Sequence, residues 1–363
     1  MASGYTEQSK IVTGLRGVGK TVLLGEYEKI ANEESWVPIK AEISKNTEFG
    51  PQIANLARRA LFQVSPKARW TARAREAGAT LKSFSLTVRP DGSLTAGLDM
   101  EAAHGRADSG DLNDDLADVF VAIGRAAQDH EQGVVFLFDE IQFLKKTELE
   151  ALVGAVHRVV QYQLPLTFAG AGLPQLPGLA GDAKSYAERL FKFPMIGELI
   201  GNAAREALVE PARQEQVDFD QRAVNAIITY TEGYPYFIQE FGRAVWDITD
   251  GPTITFEDAT NAQGVVESEL DESFFRARIQ RSTVEERRYM RAMAELGSTE
   301  QKASDVAEVL GKASEQIAPL RARLISKGLL YTPRYGYAKF TVPQFDRFMR
   351  RYMDLDELRP DER

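Results

Sequence analysis

Eight residues near the N-terminus, Gly14-Leu15-Arg16-Gly17-Val18-Gly19-Lys20-Thr21, fit the pattern GxxxxGK[ST] and lie between a β-branched run, Ile11-Val12-Thr13, and a helical-looking one. This spacing suits phosphate. Gly14, Gly17 and Gly19 let the backbone curl so that successive N–H groups, that of Val18 among them, face an anion, and the helix that follows through Val22 adds its positive end. Lys20 would reach the β- and γ-phosphates, and the Thr21 hydroxyl would ligate Mg²⁺. A second pair with chemical potential, Asp139-Glu140, ends the apolar run Val134-Val135-Phe136-Leu137-Phe138. Asp139 would hold Mg²⁺ directly or through water, and Glu140 would orient or deprotonate an attacking water.

The elements that must position these groups follow from the pattern. A continuous apolar run reads as a strand buried on both faces, and carboxylates at its C-terminal end fall where open α/β sheets place ligands. Strands at Ile11–Thr13, Trp36–Ile43, Val134–Phe138, Leu166–Ala171 and Phe191–Ile196 alternate with helices near Val22–Asn32, Pro51–Phe62, Leu112–Gln128 and Glu148–Gln161. Such alternation predicts a parallel sheet covered by helices. Residues 65–110 interrupt it, and the alternating stretches Phe84–Val88 and Leu94–Leu98 around Pro90-Asp91-Gly92 predict an inserted β-hairpin.

From Ile200 to about Asp271 the chain reads as helices without strands, broken at Gly233-Tyr234-Pro235. The end of the chain reads as three helices, Thr283–Leu296, Ala303–Leu310 and Glu315–Gly328, then two short strands around Pro333-Arg334-Tyr335-Gly336. That order predicts a winged helix-turn-helix. The expected divisions are 1–198 for the sheet domain, 199–273 for a helical lid and 274–363 for the winged helix.

Composition narrows the classes. The chain has 363 residues, 44% hydrophobic and 27% charged, with no cysteine and three scattered histidines, His104, His130 and His157. Disulfides, thiolate metal sites and cysteine nucleophiles are excluded, and the histidines are expected to pack or face solvent. No run approaches the ~18 apolar residues of a membrane span, and Met1–Glu7 lacks the basic and apolar regions of a signal peptide, so a cytoplasmic location and no membrane partner are expected. The net charge is −9, yet from Phe274 onward 18 Lys and Arg face 13 Asp and Glu, a local +5. A polyanion would meet that end of the chain first.

With these motifs in order, the chain resembles an AAA+ P-loop ATPase, within the group of origin-recognition-type initiators, archaeal ATPases and STAND NTPases. The resemblance covers nearly the whole chain: P-loop sheet, Walker B strand, helical lid and C-terminal winged helix. It implies ATP and Mg²⁺ as cofactors, a site completed between domains or subunits, and a nucleotide-dependent homo-oligomer. Arg189, just before the last core strand, holds the position of an arginine finger, with a structural salt bridge as its alternative role. Gly233-Tyr234-Pro235 resembles the GxP motif of STAND and archaeal-type ATPases, which puts Pro235 beside the nucleotide; an ordinary helix-breaking turn is the other reading.

The sequence departs from the family at three places. Ala171-Gly172-Leu173 offers no polar sensor 1 residue, the lid has the GxP-like turn in place of a sensor 2 arginine, and about ten residues stand where the family has a helix and a glycine-arginine box. The last departure implies weaker base recognition and slow turnover, or a start further upstream. Two functions are therefore expected: a Mg²⁺-dependent ATPase that switches a winged helix or an assembly, or a signalling switch that holds ATP with little turnover. The winged helix would reach double-stranded DNA through Arg321, Arg323, Lys327 and Arg334, or bind protein instead.

Overall fold

The computed structural model describes residues 8–46 and 48–358; the Met1–Glu7 stretch read above lies outside them. The chain divides into two units. One holds the N-terminal stretch to Gly14 together with Lys20–Ile196, and the other holds Leu15–Gly19 together with Gly197 onward.

The first unit is an α/β layer structure. It runs β1 (Ser9–Thr13), α1 (Lys20–Glu33), β2 (Val37–Glu42), α2 (Phe49–Val64), α3 (Ala72–Val88), α4 (Leu112–Asp129) and β3 (Val134–Asp139). It continues with α5 (Lys146–Gln161), β4 (Leu166–Gly172), α6 (Leu176–Ala183), α7 (Ala187–Leu190) and β5 (Phe191–Lys192). The five strands are parallel in the order β2-β3-β4-β1-β5. All six residues of β3 are buried. Successive side chains go to opposite faces: Phe136 and Phe138 join the larger core with α2, α4 and α5, whereas Val135 and Leu137 join Val12, Leu24 and Ala171 on the α1 side. Phe120 of α4 stacks on Phe136 at 4.8 Å. The register sets Thr13 beside Gly172 and Glu42 beside Asp139, which brings the C-terminal ends of β1, β3 and β4 to one edge.

The hairpin expected within 65–110 does not form. Residues 72–88 are α3, and 89–98 are turns. Thr71 caps the helix by accepting from the Ala74 N–H at 3.1 Å, and Ala74, Ala77, Leu81 and Phe84 are buried at helical spacing in the main core. The five-residue alternation at Phe84–Val88 is a short sample of a longer pattern whose period is 3.6, and burial along α2 and α4 decided in favour of the longer one. This segment is part of the core of its unit.

The second unit is mostly helical: α8 (Asn202–Gln214), β6 (Asp218–Phe219), α9 (Gln221–Thr231), α10 (Pro235–Ile248), β7 (Thr253–Ile254) and α11 (Phe256–Glu269). A π-helical stretch, Leu270–Phe275, joins α11 to α12 (Arg276–Ile279) with helical backbone throughout. Then come α13 (Val284–Leu296), β8 (Gln301–Lys302), α14 (Ala303–Val309), α15 (Ser314–Ser326), β9 (Leu330–Tyr331), β10 (Tyr337–Phe340) and α16 (Phe345–Tyr352). The expectation of no strands between 200 and 271 is corrected by the two-residue parallel pair β6-β7. Near the end, β8, which lies between α13 and α14, pairs with β10, and β10 pairs with β9, which makes a three-stranded antiparallel sheet; helix, strand, two helices and a hairpin are the element order of a winged helix. Among the described residues no helix is long and apolar enough to cross a membrane.

Candidate functional site

The first unit brings Lys20, Thr21, Asp139 and Glu140 together. β1 pairs with β4 up to Thr13, and the Gly14 N–H still donates to the Gly172 carbonyl at 3.1 Å, so the glycine loop begins at a fixed point of the sheet. α1 starts at Lys20, a residue that is 5% exposed and whose Nζ donates to the Gly14 carbonyl at 3.0 Å. That bond holds the ammonium across the base of the loop. One residue on, the Thr21 hydroxyl donates to Asp139 Oδ2 at 2.5 Å. Asp139 is 7% exposed, and its other oxygen accepts from the Glu140 N–H at 2.8 Å. Val22 is exposed on α1.

A hydroxyl and a carboxylate in direct contact, both hard oxygen donors, are a donor set that suits Mg²⁺. The backbone of the loop suits an anion: Gly17 and Gly19 have φ of +84° and +91°, conformations that L residues rarely adopt, and a Cβ on Gly19 would meet nothing within 4 Å. Successive N–H groups in such a curl form a concavity for oxyanions.

Glu140 turns out of β3 with φ of 56°, in the left-handed region. Its carboxylate accepts from Gln142 Nε2, and the Gln142 carbonyl oxygen accepts from the Leu173 N–H at 3.1 Å. Gln142 therefore ties Glu140 to the end of β4. The sequence pattern does not single out this residue, because the family's polar group would stand on β4 itself. Only the fold shows why Gly172 is a glycine: a Cβ there would lie 2.3 Å from Gln142 Oε1. The missing side chain on β4 makes the room that Gln142 fills from the neighbouring strand's loop.

Arg189 lies on α7 with an exposed side chain. Among the described residues that side chain makes no ion pair, and it takes no part in the Thr21–Asp139 contact. In the second unit Pro235 is the first residue of α10, and the next residue, Tyr236, donates its N–H to the Gly17 carbonyl at 3.2 Å. The GxP-like turn thus adjoins the loop apex.

The four basic residues expected to face DNA are all engaged within their own unit. Arg321 donates to the Tyr337 carbonyl at 2.7 Å, Arg323 and Lys327 pair with Glu286 at 3.2 and 2.6 Å, and Arg334 pairs with Glu300 at 2.6 Å. The Arg334 guanidinium also sits 3.6 Å over the Tyr337 ring.

No curated protein matches the chain. Residues 272–349 match a family model described as a domain of unknown function (DUF8462). Among solved structures the chain is similar to the Thermotoga maritima RuvB Holliday junction branch migration motor at 16% identity and a TM-score of 0.45, covering 93% of this chain and 85% of that one. It is similar to the Aeropyrum pernix Orc1 protein in complex with DNA at 12% identity and 0.44, covering 96% and 88%. A third is Cdc6p from Pyrobaculum aerophilum, at 11% identity and 0.42, covering 97% and 88%. Likenesses this distant say nothing of activity. The stretch that carries the glycine loop, Asp139 and Glu140 has a match of its own: residues 1–168 match a family model described as an AAA ATPase domain.

Proposed function

We propose that the protein binds and hydrolyses Mg²⁺-ATP and uses the nucleotide state as a conformational switch. The observation that carries this reading is the Thr21–Asp139 contact at 2.5 Å beside a buried Lys20 and a Glu140 held by Gln142. When bound, Mg²⁺ supplies neutralisation of phosphate charge. Thr21 and Asp139 hold it, the N–H groups of Gly17, Val18, Gly19 and Lys20 cradle the phosphates, and the Lys20 ammonium faces the β- and γ-oxygens. Glu140 accepts a proton from the attacking water or orients it, and its tether to Gln142 limits the directions it can take. Arg189, exposed and unpaired among the described residues, is the residue we assign to the neighbouring subunit's nucleotide in an oligomer.

Phosphate release and nucleotide affinity test this reading together. Lys20→Ala is expected to abolish binding, and Glu140→Gln to retain ATP while lowering turnover by at least about 100-fold, as loss of one aligned catalytic group does. A wild-type chain that binds no nucleotide with Mg²⁺ present would overturn it.

For the winged helix, over 274–363, we favour protein contact. The supporting observation is that Arg321, Arg323, Lys327 and Arg334 are used to hold the domain together. Duplex DNA binding followed by fluorescence anisotropy is expected to be weak at about 150 mM salt, where phosphate contacts alone give affinities of only ~10⁻⁴–10⁻⁶ M. Tight binding that Arg321→Ala and Arg323→Ala both weaken, with a smaller salt slope, would restore the DNA reading.

A further inference from the structure

Within the second unit, two arginines lie within electrostatic reach of each other, and among the described residues neither pairs with a carboxylate. Arg16, in the loop apex, is anchored by its backbone N–H to the Thr341 carbonyl at 3.3 Å and by its guanidinium to the Gly328 carbonyl at 3.1 Å. Arg278, on α12, lies with its guanidinium 3.6 Å over the Phe274 ring and donates to the Phe274 carbonyl. Its Nε is buried and has no partner. Neither guanidinium is ion-paired with an acid among the described residues. Burial lowers the Arg278 pKa, and repulsion from Arg16 lowers it further.

Tyr234 completes the group. It is 3% exposed, and its hydroxyl is buried without a hydrogen-bond partner. A Cβ placed on Gly17 would lie 3.2 Å from that hydroxyl and 3.0 Å from the Cβ of Tyr236, so the tyrosine hydroxyl lies against the apex of the loop. Tyr236 in turn stacks on Phe274 with ring centroids 4.6 Å apart, which connects the loop to the platform under Arg278. Burial pushes the Tyr234 hydroxyl pKa up, and Arg278 and Arg16 oppose the rise, which places both cations within electrostatic reach of it. The helix bearing Arg278 follows the π-helical turn Leu270–Phe275, a rare distortion that is frequent at functional sites.

Two like charges brought together in a partly dry site are unfavourable, and a buried donor left unmade costs about 1–3 kcal/mol. Three donors lie in this part of the unit, two guanidinium groups and a hydroxyl, and each has capacity unused. Arginine forks match the oxygens of a phosphoryl group, and one dianion would neutralise both cations and accept from all three.

We propose that Arg16, Tyr234 and Arg278 form an oxyanion subsite that takes a phosphoryl group, either of a nucleotide carried by the glycine loop or of free inorganic phosphate. The nucleotide source rests on the ATP-binding reading above; the phosphate source does not.

The test uses the full chain. ATP, ADP and AMP affinities are measured by calorimetry, and stabilisation by inorganic phosphate by thermal melting, for the wild type, Arg278→Gln, Arg278→Lys, Tyr234→Phe and Lys20→Ala. Arg278→Gln is expected to weaken at least one of ATP and ADP about tenfold or more, with Arg278→Lys recovering most of the loss. Tyr234→Phe removes an unsatisfied buried hydroxyl, so it should leave the melting temperature of the free protein unchanged or raised while weakening binding about threefold or more. A merely structural tyrosine would not separate the two readouts in that way. Should the wild type bind no nucleotide, the ATP reading fails and the phosphate arm decides the subsite: stabilisation lost in Arg278→Gln supports it. Folded Arg278→Gln and Tyr234→Phe chains that bind nucleotides and phosphate as the wild type does overturn it.

Discussion

Glu140 leaves β3 with a left-handed backbone, and its carboxylate is aimed by Gln142, which is itself fixed by the Leu173 N–H at the end of β4. A non-glycine residue in this region of φ costs of order 1 kcal/mol or more, so its surroundings must hold it there. The Glu140 N–H bond to Asp139 Oδ1 and the Gln142 bridge do so. Removing the bridge by Gln142→Ala is expected to lower kcat about tenfold, the equivalent of one orienting hydrogen bond, and to leave ATP affinity within about twofold. Steady-state turnover set beside equilibrium binding separates these effects; equal losses in both would mean that Gln142 supports binding and not the aim of Glu140. Gln142→Glu, which keeps length but repels Glu140 and cannot donate when ionised, should be no better than alanine.

At the scale of elements, the sequence was most legible where a local pattern and a global requirement coincide. β3 reads as a buried strand because six consecutive residues are buried on both faces of a sheet, and the loop reads as a loop because its glycines and Lys20 have few other uses together. Gln142 was hidden because its partner is Gly172, thirty residues away in a strand whose place in the sheet no local signal reveals. Arg278 and Tyr234 were hidden for the same reason, since only the folded unit shows that neither has a polar partner enough for its donors. α3 was misread because a short alternating stretch ends a longer helical period. That correction has a measurable consequence. Leu81 and Phe84 are fully buried against α2 and α4, so Leu81→Ala and Phe84→Ala should each destabilise the chain by about 2–5 kcal/mol in chemical unfolding. A surface hairpin would lose less than about 1 kcal/mol at these positions.

Over the whole molecule, charge is distributed more finely than a running count of signs shows. The +5 excess after Phe274 suggested a surface for polyanions, but much of that charge is spent on internal partners. The centre of this arrangement is Glu286, a carboxylate with no exposed side-chain area, paired with Lys327 at 2.6 Å and Arg323 at 3.2 Å and accepting from the Thr283 N–H at 2.8 Å. Burial by itself would raise its pKa. The hydrogen bonds and charges from Lys327, Thr283 and Arg323 outweigh burial and hold the carboxyl below its ordinary value. Because the folded value lies below the unfolded one, this group's contribution to stability is complete above the unfolded carboxyl pKa, about 4.3, and is lost as pH falls through the lower folded value. Glu286→Gln keeps the size of the side chain but removes the charge, leaving two cations without their shared partner. It is expected to cost about 1–3 kcal/mol at pH 7, since both cations retain access to water, and to flatten the loss of stability on acidification below about pH 4.5. Urea unfolding of both chains at a series of pH values checks this, and parallel curves across the acid range would show that Glu286 is not the group that ties α13 to α15.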